Sequence, residues 1–272
     1  MTMRRSGTVL RIAGRILVVL ILGFLLLPAA VVAIAAFNDR ALLSFPPQSW
    51  SLRWFIKAFG YRDFQTGFYN GLIIMLASSG IALVVGTAFA FALDRYRFFG
   101  RNLIETLLLA PLVVPHFTVG LGFLILAAQV GAMRSFTVVI VCHVVLVLPF
   151  VLRSVYISLR NLDPRLELAA ESLGARPARV LFTVTLPLLV PGLVSGWLFA
   201  AILSFNEFTA SLFVTGQRTQ TLPVAMYNYV REYADPTMAA MSLIFIVVTA
   251  MLLIVANACF GLGRVLNVDH GR

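Results

Sequence analysis

The stretch SLRNLDPRLELAAESLGARPARVLFTVTLP, Ser158–Pro187, lies between two apolar runs and carries the densest local information in the chain. Connections between elements are mostly about 4–6 residues long, and much longer ones tend to be functional. This one is ordered by its own signals. Asp163-Pro164 sets a helix N-cap before a proline at the first helical position. Leu166, Ala169, Ala170 and Leu173 follow at helical spacing. Gly174 stands where a helix end takes a left-handed residue. Pro177 is expected to open a second short helix through Val184, and Leu186-Pro187 to turn the chain into the next apolar run. The result is a helix–glycine–helix elbow. Its small residues Ala169, Ala170 and Ser172 allow close approach of another surface. Its charges Glu167, Glu171, Arg176 and Arg179 can fix the register of that approach. The residues alone leave two readings open: docking onto a partner, or an amphipathic hairpin lying on the inner leaflet.

Outward from the elbow the chain is apolar. Of its 272 residues 60% are hydrophobic and 12% charged, and the mean hydropathy is +0.95. A soluble domain carries about 25% charged residues, so a soluble fold would have too few charges for its surface. Disorder, collagen-like repeats and disulfide scaffolds are excluded by the same composition. A membrane span needs about 20 mostly apolar residues. Six runs qualify: Ile12–Phe37, Phe68–Leu93, Leu103–Val130, Phe136–Tyr156, Leu188–Val214 and Met238–Leu262. The expected fold is all-α, a polytopic membrane protein of six transmembrane helices with both termini cytoplasmic. Arg4, Arg5, Arg11 and Arg15 together with Ala33-Ile34-Ala35 resemble a secretory signal. The apolar stretch is longer than the roughly 7–15 residues of such a signal, so it reads as an uncleaved first span.

The net charge of +10 would suggest nucleic acid in a soluble chain. Here no basic-aromatic cluster sits on a polar surface, and nucleic acid is not expected as a partner. With the N-terminus inside, 14 of the 21 basic residues fall in inner segments and 7 in outer ones, as the positive-inside rule requires. Asp94–Asn102, with Arg95, Arg97 and Arg101, is the strongest single signal. The resulting plan has a cytoplasmic N-terminus and first helix at 1–37 and a periplasmic loop at 38–67. A five-helix core follows at 68–264 with the cytoplasmic loop 158–187, then a cytoplasmic tail at 265–272. The outer segment 38–67, with Pro46-Pro47, Trp50, Trp54, Phe55 and Phe59, is expected to form short interfacial pieces. In the outer segment Thr215–Thr237, Pro223 and Pro236 mark breaks or helix starts.

Leu168-Ala169-Ala170-Glu171-Ser172-Leu173-Gly174, followed by Val184-Thr185-Leu186-Pro187, resembles the EAA loop of bacterial ABC importer permeases. The motif glutamate is replaced by Leu168, with Glu167 one position earlier. Ser204-Phe205-Asn206-Glu207-Phe208, Phe213-Val214-Thr215-Gly216 and Thr221-Leu222-Pro223 resemble the second permease subunit of the spermidine/putrescine group. The resemblance implies a bacterial inner-membrane permease subunit, not itself an enzyme, that moves a small polar solute of polyamine-like or related type. It implies two ATP-binding-cassette ATPase subunits that bind ATP and Mg, a second homologous permease and a periplasmic binding protein. The bilayer is the remaining partner. It also implies that Glu167, Ala169, Ala170, Glu171, Gly174, Arg176, Leu186 and Pro187 form the ATPase-coupling loop. The chain's own residues agree on energy supply. A P-loop needs a Gly-Lys-Ser/Thr step, and the single lysine, Lys57, is followed by Ala58.

Ionisable residues at membrane depth are functional candidates by default. Glu207, beside Asn206 near the outer end of the fifth run, is expected to face the pathway or a gate. His116, after Pro115, occupies a position where the polyamine-type resemblance implies a carboxylate. Asn206, His116 and Asn70 are further candidates for the pathway or gate, Asn70, at the outer start of the second run, also as a cap or bridge between helices. His143 reads as a packed, hydrogen-bonded histidine, and Glu105 as an i, i+4 partner of Arg101. The pairs Gly67/Gly71 and Gly192/Gly196 have the spacing of close helix contacts. Three histidines and two cysteines, Cys142 and Cys259, show no metal spacing. A gradient-driven transporter or channel would instead show internal repeats with matching broken helices, and an intramembrane enzyme would show paired catalytic groups. Neither pattern is evident.

Overall fold

The computed structural model describes residues 3–41, 46–47, 49–233 and 235–260, with side chains from 12 to 254. The tail at 265–272, Arg264 and the Cys259 side chain lie outside the described set. The elements are helical throughout: α1 Met3–Ala35, α2 Arg53–Gly60, α3 Arg62–Arg95, α4 Arg101–Leu109, α5 His116–Gln129, α6 Phe136–Arg160, α7 Pro164–Ser172, α8 Pro177–Val180, α9 Leu186–Asn206, α10 Ser211–Val214, α11 Leu222–Glu232 and α12 Thr237–Phe260. Five of them are long and apolar enough to cross a membrane, or six spans if the bent pair Arg101–Leu112 and His116–Gln129 counts as one.

The chain divides into two units. One comprises residues up to Tyr61 together with Asn228–Val248; the other runs over Arg62–Tyr227 and from Thr249 onward. In the first unit, the apolar side chains of α1 from Ile12 to Leu27 are largely exposed. In the second, α3, α6 and α9 pack against one another pairwise. Their core is aliphatic, with Leu93, Val147, Val151, Leu152, Val155 and Leu189 buried. Glycines bring the helices close. A Cβ on Gly196 would stand 3.1 Å from the Ser154 side chain, and one on Gly192 would overlap Ser158. A Cβ on Gly67 would lie 3.0 Å from the Leu222 backbone, and one on Gly71 3.4 Å from the Phe205 ring. Both predicted glycine pairs therefore serve packing within this chain.

Four expected boundaries change. The third run is not one rod: its two helices meet at 104°. Pro111 and Pro115 remove two backbone donors, and Pro115 is extended at ψ 134 before α5 starts at His116. The fifth run stops at Asn206, because Glu207 leaves helical geometry at ψ 115; α10 is a separate turn. Conversely, Leu186-Pro187 does not turn the chain. A π-helical stretch, Leu181–Thr185, joins α8 to α9, and the Leu186 N–H reaches back to the Leu181 carbonyl. A wide turn placed just before Pro187 accommodates a residue that has no N–H to donate. The second span also starts earlier than expected, at Arg62, because α2 and α3 are separated by Tyr61 alone.

Candidate functional site: a coupling elbow and a polar cavity

The elbow is built as its capping residues dictate. Asp163 is extended, and its Oδ1 accepts the Arg165 N–H at 2.9 Å. At the other end Gly174 has φ +85, its N–H donates to the Glu171 carbonyl at 2.8 Å, and the Ala175 N–H donates to the Ala170 carbonyl at 3.1 Å. These two bonds close the helix in a Schellman motif. Leu166, Leu168, Ala169, Glu171, Leu173, Gly174 and Arg176 are exposed, and Pro187 lies exposed at the base of α9; Ala170 and Leu186 are half-buried.

Glu167 is the exception on α7: it is buried. Its Oε1 accepts from Arg95 Nη2 at 2.5 Å and from Thr185 Oγ1 at 2.6 Å. The hydrogen bond from Arg95 holds its carboxyl below the ordinary carboxylate range; burial opposes this and the Thr185 hydroxyl reinforces it. Glu167 thus faces its own chain and ties α7 to the end of α3 and to the π turn. The expected Glu105–Arg101 pair is not what holds Arg101, whose Nε donates to the Leu93 carbonyl at 3.0 Å.

A second polar group sits where α9 breaks. His116 Nδ1 lies 2.7 Å from Glu207 Oε2, and Glu207 Oε1 accepts the Ala210 N–H at 2.8 Å. The imidazole side chain is 44% exposed and the carboxylate 10%. Both line a small cavity with His143, Leu146, Val147, Phe150 and Leu203. The broken third run delivers His116 there, because α5 begins with it. Glycine makes the approach possible: a Cβ on Gly120 would stand 2.7 Å from Ala210 Cα. Asn206 is not part of this group; its amide donates back to the Ile202 carbonyl at 2.8 Å. Asn70 is also elsewhere, buried, with its amide on the carbonyls of Arg218 and Gln220, each at 3.0 Å. It holds the loop before α11.

Behind the cavity runs a buried chain of hydroxyls around His143. Ser211 Oγ donates its one hydrogen to the Glu207 carbonyl at 2.9 Å. It must therefore accept from His143 Nε2, 2.9 Å away. His143 Nδ1 is then the acceptor for Ser204 Oγ at 2.8 Å; Ser204 Oγ also lies 2.8 Å from Ser78 Oγ, which has the Met75 carbonyl at 3.3 Å as a second acceptor for its one hydrogen. Ser78, Ser204, His143, Ser211 and the Glu207 carbonyl form one hydrogen-bonded network joining α3, α9, α6 and α10. Its serines lie at membrane depth, where satisfied polar groups glue helices together. Sequence reading found His143 but not its partners, and missed Arg95 and Thr185. Isolated serines within apolar runs were the available hint. Among the described residues no cluster of three or more metal-ligating side chains occurs.

A family model described as binding-protein-dependent transport system inner membrane component matches residues 82–259. The chain belongs to this family. It is similar to the putrescine transport system permease protein PotI of Escherichia coli (strain K12), 33% identical over 83% of this chain and 83% of that one. It is also similar to the spermidine/putrescine permease PotC of Haemophilus influenzae, 29% identical over 86% of this chain and 91% of the relative. In fold it is like a chain of a bacterial alginate ABC transporter solved with a pentasaccharide-bound periplasmic protein. That match has a TM-score of 0.72 at 16% identity, covering 93% of this chain and 94% of that one. The chain is therefore a multi-pass, non-catalytic permease subunit of an ABC importer in a bacterial inner membrane. As an inner membrane component of a binding-protein-dependent transport system, it works with a binding protein. The gradient-driven alternative is set aside by the family match.

Proposed function

We propose that the cargo is a small organic cation of polyamine type, that the pathway is completed by a second, homologous permease, and that α7 carries the ATPase stroke into the spans. In this reading residues 1–37 form the first helix, 38–67 the periplasmic segment, 68–264 the core and 265–272 a cytoplasmic tail. The observation that carries the cargo assignment is the Glu207–His116 pair in its cavity. Buried charge in a span is retained where it is used, and two relatives are named for polyamines. Glu207 already has two partners, so the imidazole edge of His116 is the polar group most open to cargo. With Nδ1 donating to Glu207, neutral His116 offers the Nε2 lone pair as an acceptor for an ammonium hydrogen.

The elbow reading rests on an anchored inner face at Glu167 and an outer face of Leu166, Ala169 and Leu173 left for a partner. In it Ala169, Ala170, Glu171, Arg176, Leu186 and Pro187 shape the docking helix and its lever. ATP and Mg belong to the ATPase subunits, and this chain holds neither.

Binding-protein-stimulated ATPase of the reconstituted importer tests the cargo. A binding protein saturated with putrescine should raise hydrolysis severalfold over the unloaded protein. Stimulation by an oxyanion-loaded or sugar-loaded protein, with none from the diamine-loaded one, would reject a cationic cargo.

A further inference from the structure

Lys57 is the only lysine among 272 residues, and its ammonium sits in an unusual setting. Nζ lies 2.6 Å from Asp235 Oδ2, 5.6 Å from the Trp54 ring centroid, and 5.8 Å from those of both Tyr229 and Tyr233. Cation–π attraction acts within about 6 Å of a ring centroid. A carboxylate and three aromatic faces around one ammonium form the type of enclosure that recognises alkylammonium groups.

The enclosure is built without Lys57. Trp54 is buried and its indole N–H donates to the Asn38 carbonyl at 2.6 Å. Tyr229 is buried, edge-on to Tyr61 at 5.0 Å and stacked obliquely on Tyr233 at 4.7 Å. The Tyr229 hydroxyl reaches both oxygens of Asp235, at 3.1 and 3.0 Å. The Thr237 N–H holds Oδ1 at 2.9 Å. The carboxylate side chain is 15% exposed, whereas that of Lys57 is 45% exposed. Trp54, Tyr229 and Asp235 are held in place, with the Arg53 guanidinium also 4.3 Å from the Trp54 centroid; Tyr233 is 46% exposed, and the occupant is on a flexible stem open to solvent. Arginine supplies every other basic side chain outside histidine, yet its planar guanidinium would not fill this site as a compact ammonium does.

We propose that Trp54, Tyr229, Tyr233 and Asp235 form a binding site for a primary ammonium group, in which Lys57 is a tethered stand-in that an incoming amine displaces. The place of this site on the transport route rests on the cationic-cargo reading. The charge distribution puts α2 on the outer side, where the binding protein delivers cargo. Exchange of one ammonium for another changes few contacts, so affinity is set by the effective concentration of the tethered lysine. For a short tether that concentration is on the order of millimolar. The site therefore responds to the high local amine concentration beneath a docked, releasing binding protein, and ignores trace amine.

The single lysine supplies the test. The reconstituted importer is pulsed with an acetylating ester beside a lysine-containing reference peptide, and acetylation at Lys57 is measured by mass spectrometry relative to that peptide. The ratio cancels reagent consumed by added amine. Lys57 begins protected, since its hydrogen bond to Asp235 raises its pKa despite some burial, helped by Tyr229. About 10 mM n-butylammonium chloride should raise the ratio at least threefold over sodium chloride of equal ionic strength, consistent with millimolar exchange. Asp235→Asn should give a high ratio without amine and no further response. Equal ratios in butylammonium and sodium, or continued protection in Asp235→Asn, overturn the site. Because n-butylammonium is not the cargo, displacement without putrescine uptake supports the site and removes the cargo reading. Normal putrescine uptake with no displacement does the reverse.

Discussion

Arg95 at the end of α3 donates to the carboxylate of Glu167 on the elbow helix at 2.5 Å, across 72 positions of sequence. The bond ties the elbow, the proposed docking element for the ATPases, to the end of a core span. A hydrogen bond to a charged group contributes about 1.5–3 kcal/mol, and with the Arg95 side chain 40% exposed, solvent screening puts this one toward the low end. Glu167→Ala and Arg95→Ala should each lower transported cargo per ATP hydrolysed severalfold. The double variant should be little worse than either, because both remove one interaction. Additive losses would show that the two residues act separately. The measurement is uptake and phosphate release on the same proteoliposomes.

The same carboxyl sets a pH expectation. Its pKa is depressed by Arg95, so the ion pair is present above the ordinary carboxylate range and is lost only as pH falls through the depressed value. Wild-type coupling should therefore be flat between roughly pH 6 and 8, well above carboxylate pKa values. Glu167→Gln should show at neutral pH the loosened coupling that the wild type reaches only in acid.

Gly174 tests the elbow through its backbone. With φ +85 and nothing within 4 Å of a built Cβ, a substitution there meets strain and no clash. The left-handed conformation costs an ordinary residue about 1–2 kcal/mol, and asparagine less. Gly174→Val should reduce coupling strongly and Gly174→Asn mildly. Equal, wild-type uptake from both would mean that this turn carries no stroke.

The two glycines of α5 make a matched pair at the cavity. Gly120→Ala drives a methyl into the Ala210 backbone beside the Glu207 turn, whereas Gly122→Ala has open space. The first should impair uptake about tenfold or more, and the second hardly at all. Glu207→Gln, which removes the charge but keeps the shape, should lower uptake with the fold intact by thermal melting. Equal uptake from Glu207→Gln and wild type would return Glu207 to a structural role.

Signals that act over a few residues were readable. The cap at Asp163-Pro164, the left-handed Gly174 and five of the six apolar runs follow from local chemistry. Signals that need a distant partner were not. Nothing near Glu167 names Arg95, and nothing near His143 names Ser204 and Ser211. The third run passes as a span only as a bent pair, for a local reason. Pro111 and Pro115 together break the helix, because two missing donors fall within one turn and the chain bends rather than leave carbonyls unpaired. That break is what sets His116 at a helix start facing Glu207.

The most direct test of the account is accumulation of radiolabelled putrescine by proteoliposomes holding the complete importer, with ATP on the cytoplasmic face and the binding protein on the other. Saturable accumulation is expected that needs both ATP and binding protein and that Glu167→Ala reduces severalfold. Vigorous ATP hydrolysis with no diamine accumulation, or accumulation that persists without ATP, would contradict it.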